Sequence, residues 1–390
     1  MKNTIVFLGF FYSFPYLMSQ PLYISTSIEN ESLLKDSPLT YIVKKTKKNQ
    51  KLIEIKEEDL PKIANLLHGR IPGCGGFFVE KQNDFASFAP FFEEENSSVE
   101  DISLPIISKS QQIQELIDQA EEDSIKKTIS SLSSFKSRYY NSPSGVASQK
   151  WIESQWSELI KDRADAKVSL IIHKDWAQPS VKLTITGTSK PSEKIILGGH
   201  GDSISDDRDD IAPGADDNAS GISAVTEIIR ILGKNPNIKP NKTIIFYSYA
   251  AEEVGLRGSY EIAKAAKLAK EDIKAVLQLD MTNFHGSPEE IVFISDYTSS
   301  TLTGFGENIL TTYLPKILIG KDRCGYACSD HASWHRLGYP SIFPFESKMN
   351  DSNPHIHTRN DTIDQSQGHA FHALLFAQFG LSFALEMAGI

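Results

Sequence analysis

The sequence has little cysteine and no excess of positive charge. Three cysteines in 390 residues are too few for a disulfide framework, and a chain this long buries a sizeable core without one. Lys and Arg number 40 against 50 Asp and Glu, a net charge of −10. That balance argues against nucleic acid or an anionic membrane as the main partner, since each calls for a basic face. Internal repeats are absent, and apart from a short apolar run at the very start no segment is expected to cross a membrane. Hydrophobic residues at 40% and charged residues at 23% are ordinary for a folded globular chain, which excludes disorder, collagen and a multispan membrane protein. The length suits two or three domains, or one large domain with appendages.

After Met1-Lys2-Asn3-Thr4, residues 5–18 (IVFLGFFYSFPYLM) carry no charge. The run is shorter than the roughly 20 apolar residues that span a bilayer. One lysine ahead of a short apolar core reads as a secretory signal peptide over 1–19, ending near Ser19. A buried N-terminal strand or helix is the plainer alternative, weakened by Gly9 and Pro15. The remainder is expected to be secreted, with no membrane attachment once the signal is removed.

From residue 20 to 103 the composition changes. A Lys-rich, strand-like stretch (Thr40 to Ile55) precedes EEDLPKIANLLHG, in which Leu60, Ile63, Leu66 and Leu67 fall at helical spacing. CGGFFVE (Cys74 to Glu80) follows, then the unperiodic polar segment Phe91 to Asp101, an exposed linker and protease target. This region reads as a small appended domain.

Within 104–390 the rhythm is helix and strand in alternation. Residues 113–135 pattern as an amphipathic helix. KLTITGT, KIILGGH, KTIIFYSYA, KAVLQLD and EIVFISD are short β-branched runs, and GISAVTEIIRILG and GSYEIAKAAKLA between them pattern as helices. Apolar strands alternating with helices predict an α/β fold with a mixed, mostly parallel central sheet sandwiched by helices. Sites in such folds form beyond the carboxyl ends of the strands.

Polar residues gather at those ends. KIILGGH ends in His200 with Asp202 two residues on, KTIIFYSYA leads to Glu252 and Glu253, and KAVLQLD ends in Asp280. APGADDNASG places Asp216, Asp217 and Asn218 ahead of a helix, and NPHIHTRND supplies His355 and His357. Singly, such residues are caps or solvated side chains. Together, imidazoles and carboxylates converging on one rim suit a pair of zinc-like ions, with one of the two adjacent glutamates free to act as a base.

The motifs HGDSIS…APGADDNASG, YAAEEVGLRGS, LQLDMTN, CGYACSDHASWH and PFESKMNDSNPHIHT resemble the zinc leucyl aminopeptidases of the M28 family, most nearly the secreted bacterial (vibrio-type) enzymes. The resemblance implies a zinc-peptidase/phosphorylase-like fold and two Zn2+ ions per chain. It assigns His200 and Asp280 to one ion, Glu253 and His357 to the other, and Asp217 to a bridge between them. Glu252 matches the general base acting on a water between the ions, Asp202 a carboxylate orienting His200, and Tyr326 a group stabilising the oxyanion. Met281, Ile294, Phe345, Met349 and Ile356 fall where relatives hold a leucine-like side chain. Asn218 stands where some relatives carry Asp, and the Asp217–Asn218 peptide is expected to be cis as in the family.

The segment NLLHGRIPGCGGFFVE resembles the end of that group's propeptide, which makes 20–103 a prodomain of a zymogen and implies an activating protease. Its Phe-rich stretch, Phe85 to Phe92, is the part expected to reach the pocket, or else it forms a small core of its own. Cys324 and Cys328 are open to readings as free thiols, metal ligands or a disulfide; the resemblance selects the disulfide, with Cys74 left odd. His331 and His335 have the spacing of helical zinc ligands but lack the glutamate of H-E-x-x-H, so packing is expected of them. The expected function is removal of hydrophobic N-terminal residues from peptides. Rivals are a carboxypeptidase or aminoacylase specificity, a glutaminyl cyclase, and a non-enzymatic binding ectodomain; the complete ligand set speaks against the last two.

Overall fold

Short β-branched runs in the first eighty residues pair into a small antiparallel sheet of order β2-β3-β1-β4. Its strands are β1 (Leu22–Ser27), β2 (Ile42–Lys47), β3 (Gln50–Ile55) and β4 (Phe77–Glu80), with helices α1 (Ile28–Lys35) and α2 (Leu60–His68). The Lys-rich stretch is thus a hairpin, β2–β3, and not one strand. The computed structural model describes residues 21–47, 50–68, 76–80, 102–205 and 211–390. The expected signal segment, the linker at 91–101, the Phe85–Phe92 stretch and Cys74 lie outside the described residues.

The larger unit is built on an eight-stranded sheet of order β11-β10-β12-β9-β7-β8-β6-β5. Its strands are β5 (Ala166–Ile171), β6 (Ser180–Ile185), β7 (Lys190–His200), β8 (Lys242–Tyr249), β9 (Asp272–Gln278), β10 (Ile291–Ile294), β11 (Ile319–Asp322) and β12 (Ser341–Phe345). The centre, β12-β9-β7-β8, is parallel, while β6 and β5 continue it antiparallel on one side and β10 on the other. The sheet is therefore mixed.

Side chains alternate across it. Ile195 and Leu197 of β7, and Ile244 and Phe246 of β8, enter the large core on one face. That face is covered by α3 (Gln111–Ile117), α4 (Glu122–Ser133), α5 (Pro143–Leu159), α6 (Gly221–Lys234), α8 (Ser300–Tyr313) and α10 (Phe371–Ala388). Ile196, Ile245 and Tyr247 point the other way, against α7 (Arg257–Leu268) and α9 (His331–Arg336). Helix α10 is 18 residues long and apolar enough to cross a membrane, but 78% of it is buried. It is a core helix, its apolar residues packed against the central sheet and α6.

The single helix expected over 113–135 is two. The chain breaks between α3 and α4, where the Glu121 N–H donates to Glu227 and the Gln119 carbonyl accepts from Arg230. Those contacts to α6 outweigh local periodicity.

The small unit docks on the large one through a shared apolar cluster. Ile24, Ile53, Leu60, Ile63, Leu67 and Phe77 pack with Tyr140, Trp176, Ile204, Ala250, Ala251 and Val254. Gly255 has φ +99, and a Cβ there would lie 2.7 Å from the Phe77 ring, so both its backbone and this close approach require glycine. A buried ion pair adds to the contact: Arg336 donates to Glu80 at 2.7 Å, with both side chains 4% exposed. The Arg336 guanidinium also lies over the rings of Phe78 and Tyr260. Removing one partner of such a pair leaves a buried charge and costs about 3–5 kcal/mol. Glu80→Ala should therefore lower the unfolding free energy by that order, and an unchanged midpoint in urea titration would contradict the docking described.

Candidate metal centre

Strands β7, β8 and β9 are parallel neighbours, so their carboxyl ends reach one rim: His200 pairs with Tyr249, and Gly198 with Gln278. His200 closes β7, Glu252 and Glu253 follow β8, and Asp280 follows β9. Asp217 arrives from a non-helical turn ahead of α6, with φ −105 and ψ 94. His357 sits in the loop after β12 with φ +57. The Asp217–Asn218 peptide is cis.

The side chains meet in two groups that share Asp217. His200 Nε2 lies 3.0 Å from Asp217 Oδ1 and 3.3 Å from Asp280 Oδ1. His357 Nε2 lies 2.9 Å from Asp217 Oδ2 and 3.1 Å from Glu253 Oε2. In each triad the donor atoms all fall within 4.8 Å of one another, and every member is buried. His200 Nε2, both Asp217 oxygens and Asp280 Oδ1 are buried with no hydrogen-bond partner. Orphaned buried polar atoms cost about 1–3 kcal/mol each. Imidazole and carboxylate donors converging in this way fit divalent zinc, which satisfies all of them together.

Charge explains the proton affinities. Burial opposes charging His200, but the carboxylates of Asp280 and Glu252 outweigh it and hold its pKa well above the ordinary value. His357 is likewise raised against its burial, by Glu253 and Asp217. Burial alone would raise Asp217, yet His200 and His357 hold it far below the usual carboxylate range. Glu253 is pushed up to about 7 by burial and the Asp217 charge. Glu252 is also raised well above the ordinary value, first by burial, and neither of its oxygens makes a hydrogen bond.

Neighbouring groups hold the donors in place. Asp202 approaches His200 Nδ1 with its carbonyl oxygen at 3.2 Å and its carboxylate at 3.5 Å. Its carboxylate also accepts the N–H groups of Glu252 and Glu253 at 3.1 and 3.2 Å, a second task that the sequence did not suggest. Ser329 donates to Asp280 Oδ2 at 2.5 Å. Asn218 donates to the Leu279 carbonyl and accepts from Gly221 N–H and Met281 N–H. An aspartate there would set oxygen against oxygen at Leu279, so the amide suits this chain.

Three further residues escaped sequence reading. Asp361 accepts the N–H groups of Asp216 and Asp217, each at 3.0 Å. Glu346 sits against Asp216, and burial holds its pKa well above the ordinary value. Arg138, fully buried, donates to the carbonyls of Gly201, Pro213 and Gly214, joining the His200 loop to the Asp217 turn. Their partners lie tens of residues away in the chain, so no local pattern marks them.

Tyr326, Met281, Phe345 and Met349 line one small cavity with Asp280, Cys328 and Phe343. Ile294 and Ile356 belong to the same apolar cluster. Phe343 and Cys328 are its unanticipated members. Cys324 and Cys328 form a disulfide, which frames Tyr326. His331 and His335 lie outside both donor triads, and burial lowers the pKa of each. His355 is also outside them.

The Peptidase family M28 profile matches residues 180–379. A probable aminopeptidase of Saccharomyces cerevisiae is 34% identical over 81% of this chain and 87% of its own length. Leucine aminopeptidase 1 of Coccidioides posadasii is 36% identical over 74% of this chain and 76% of its own. The crystal structure of LapB from Legionella pneumophila superposes with a TM-score of 0.83 at 30% identity, covering 95% of this chain and all (100%) of that one.

Metal loading should displace protons, because the raised His200 and His357 hold protons that a metal must replace. Calorimetric titration of zinc into the metal-free protein should give heats that vary with the ionisation enthalpy of the buffer. Buffer-independent heats would contradict these proton assignments.

Proposed function

The chain belongs to peptidase family M28, and from that premise we propose that it is a secreted two-zinc exopeptidase removing leucine-like, hydrophobic residues from peptide N-termini. Its class is that of a metallo-aminopeptidase, a hydrolase of peptide bonds. The observation carrying the finer reading is the pair of buried donor triads sharing Asp217, beside a glutamate whose oxygens are unengaged.

Residues His200, Asp217 and Asp280 would hold one zinc ion, and Asp217, Glu253 and His357 the other. Zinc in such a site supplies Lewis acidity and lowers the pKa of water. Glu252 accepts the proton of the attacking water and later delivers it to the leaving amine. Burial supports that role, since a raised pKa places the carboxyl nearer the working pH of a proton shuttle. Asp202 keeps His200 oriented through Nδ1. Tyr326, lining the same cavity as Asp280, presents its hydroxyl to the developing oxyanion. Met281, Ile294, Phe345, Met349 and Ile356 receive the apolar side chain, which points to peptide N-termini as substrate. The motifs around these residues support the vibrio-type group, and the uncharged run at 5–18 supports export.

The N-terminal unit is read as a prodomain that limits activity until a protease cuts in the Phe91–Asp101 linker. Its packing on Ala250, Ala251 and Val254, which flank Glu252 and Glu253, supports this reading.

Three outcomes test the proposal. Among amino-acid p-nitroanilides the leucine compound should be hydrolysed fastest, with loss of rate on chelation and recovery with zinc; turnover indifferent to chelator would contradict it. Glu252→Ala should keep its metal and lose about 10²–10⁴-fold in kcat, whereas near-normal turnover in a folded variant rules out the base. Limited proteolysis in the Phe91–Asp101 linker should raise the rate, and equal rates before and after cutting would refute inhibition.

A further inference from the structure

The cavity beside Asp280 has a volume of about 10 Å³, room for about one water molecule. A substrate side chain therefore enters only by displacing part of the wall, and the parts differ in how far they yield. Met281 and Met349 are unbranched thioethers that adapt to irregular shapes. Met349 is only partly buried and lies in a single turn of 3-10 helix, Met349–Asp351.

Away from the cavity, Phe343 is held by several contacts. It lies in β12, paired with Ile294 of β10, and is 2% exposed. Its ring meets Phe345 edge-on at 5.7 Å. On another side it stacks on the imidazole of His331, with centroids 4.6 Å apart and planes inclined by 28°. His331 is anchored in turn, since its Nε2–H donates to the Asp296 carbonyl at 3.0 Å. Burial keeps that ring neutral, with its pKa lowered to about 3, so the stack holds throughout the neutral range. The histidine that sequence spacing offered as a zinc ligand is thus the backing of the pocket wall.

We propose that the Phe343–His331 stack sets the depth of the side-chain pocket and makes this enzyme select aliphatic over aromatic N-terminal residues. The proposal rests on the aminopeptidase reading of the site. A leucine side chain fits by moving Met349 and Met281 aside. A benzyl or indole group reaches deeper and meets a ring that cannot retreat. Phe343 acts by touching the substrate side chain, and His331 is a positioning residue that acts through Phe343.

The test compares kcat/KM for leucine and phenylalanine p-nitroanilides in the zinc-loaded protein after proteolysis in the Phe91–Asp101 linker. Wild type should favour leucine by about 10-fold or more, the scale on which apolar pockets discriminate by size. Phe343→Ala should raise the phenylalanine-to-leucine ratio by about 10-fold or more while still hydrolysing leucine. Phe343→Met, which keeps apolar volume and loses rigidity, should move the ratio in the same direction and carries the test if the alanine variant fails to fold. His331→Gln retains a donor for Asp296 but no ring, and should shift the ratio through KM for the phenylalanine substrate with kcat for leucine little changed. That split separates positioning from general loss of structure. Equal rates on both substrates in wild type, or an unchanged ratio in active Phe343 variants, would overturn the proposal. Failure of the cut, zinc-loaded wild type to hydrolyse either anilide would instead sink the aminopeptidase reading, and this proposal with it.

Discussion

Both donor triads share the carboxylate of Asp217, and its place is set largely by what its backbone is bonded to. Asp361 accepts its N–H and that of Asp216. Asn218, the next residue, ties the turn to the end of β9 through Leu279 and Met281. Arg138 holds the carbonyls on the approach to the turn. A bridging carboxylate must keep each oxygen aimed at a different cation. Rigid backbone anchors accomplish this with less freedom than a side-chain hydrogen bond would leave. The rest of the site is referred to this point, since His200, Asp280, Glu253 and His357 each stand opposite one Asp217 oxygen or beside its partner.

The same packing concentrates carboxyl groups in a buried interior. Asp216, Asp217, Asp361 and Glu346 are all nearly inaccessible, and Glu346 is held well above its ordinary pKa by burial and by Asp216. Backbone N–H groups and one buried arginine offset part of this, and the donor triads call for cations to offset more. The N-terminal unit leans on the same region from outside. Phe77 packs with Ala250, Ala251 and Val254 around Glu252 and Glu253, while Phe78 clusters with Leu256 and with Ala327 beside Tyr326. The docked unit, the Glu252–Glu253 loop and the wall beside Tyr326 are therefore packed in one continuous run, which is why a change at the unit interface is expected to be felt at the candidate metal centre.

What could be read beforehand follows from how local its cause is. The parallel strands β7, β8 and β9 announce themselves as β-branched runs ending in polar residues, so His200, Glu252, Glu253 and Asp280 were visible as strand-end side chains. The hairpin turn between β2 and β3 was not, because lysines continue through it. The break between α3 and α4 depends on Glu227 and Arg230 more than a hundred residues later. Asp361 and Arg138 bond backbone atoms of distant loops, and no spacing rule exposes such partners. Phe343 looked like any strand residue until His331 was seen behind it. For His331 and His335 the missing glutamate pointed to packing, and both lie outside the donor triads found among the described residues.

The central claim is that two cations sit side by side across Asp217. Anomalous diffraction at the zinc edge, from crystals of the zinc-loaded protein, tests it most directly. The account predicts two peaks, one contacted by His200 and Asp280 and the other by Glu253 and His357, with Asp217 reaching both. A single peak, or density at His331 and His335 in place of either, would contradict it.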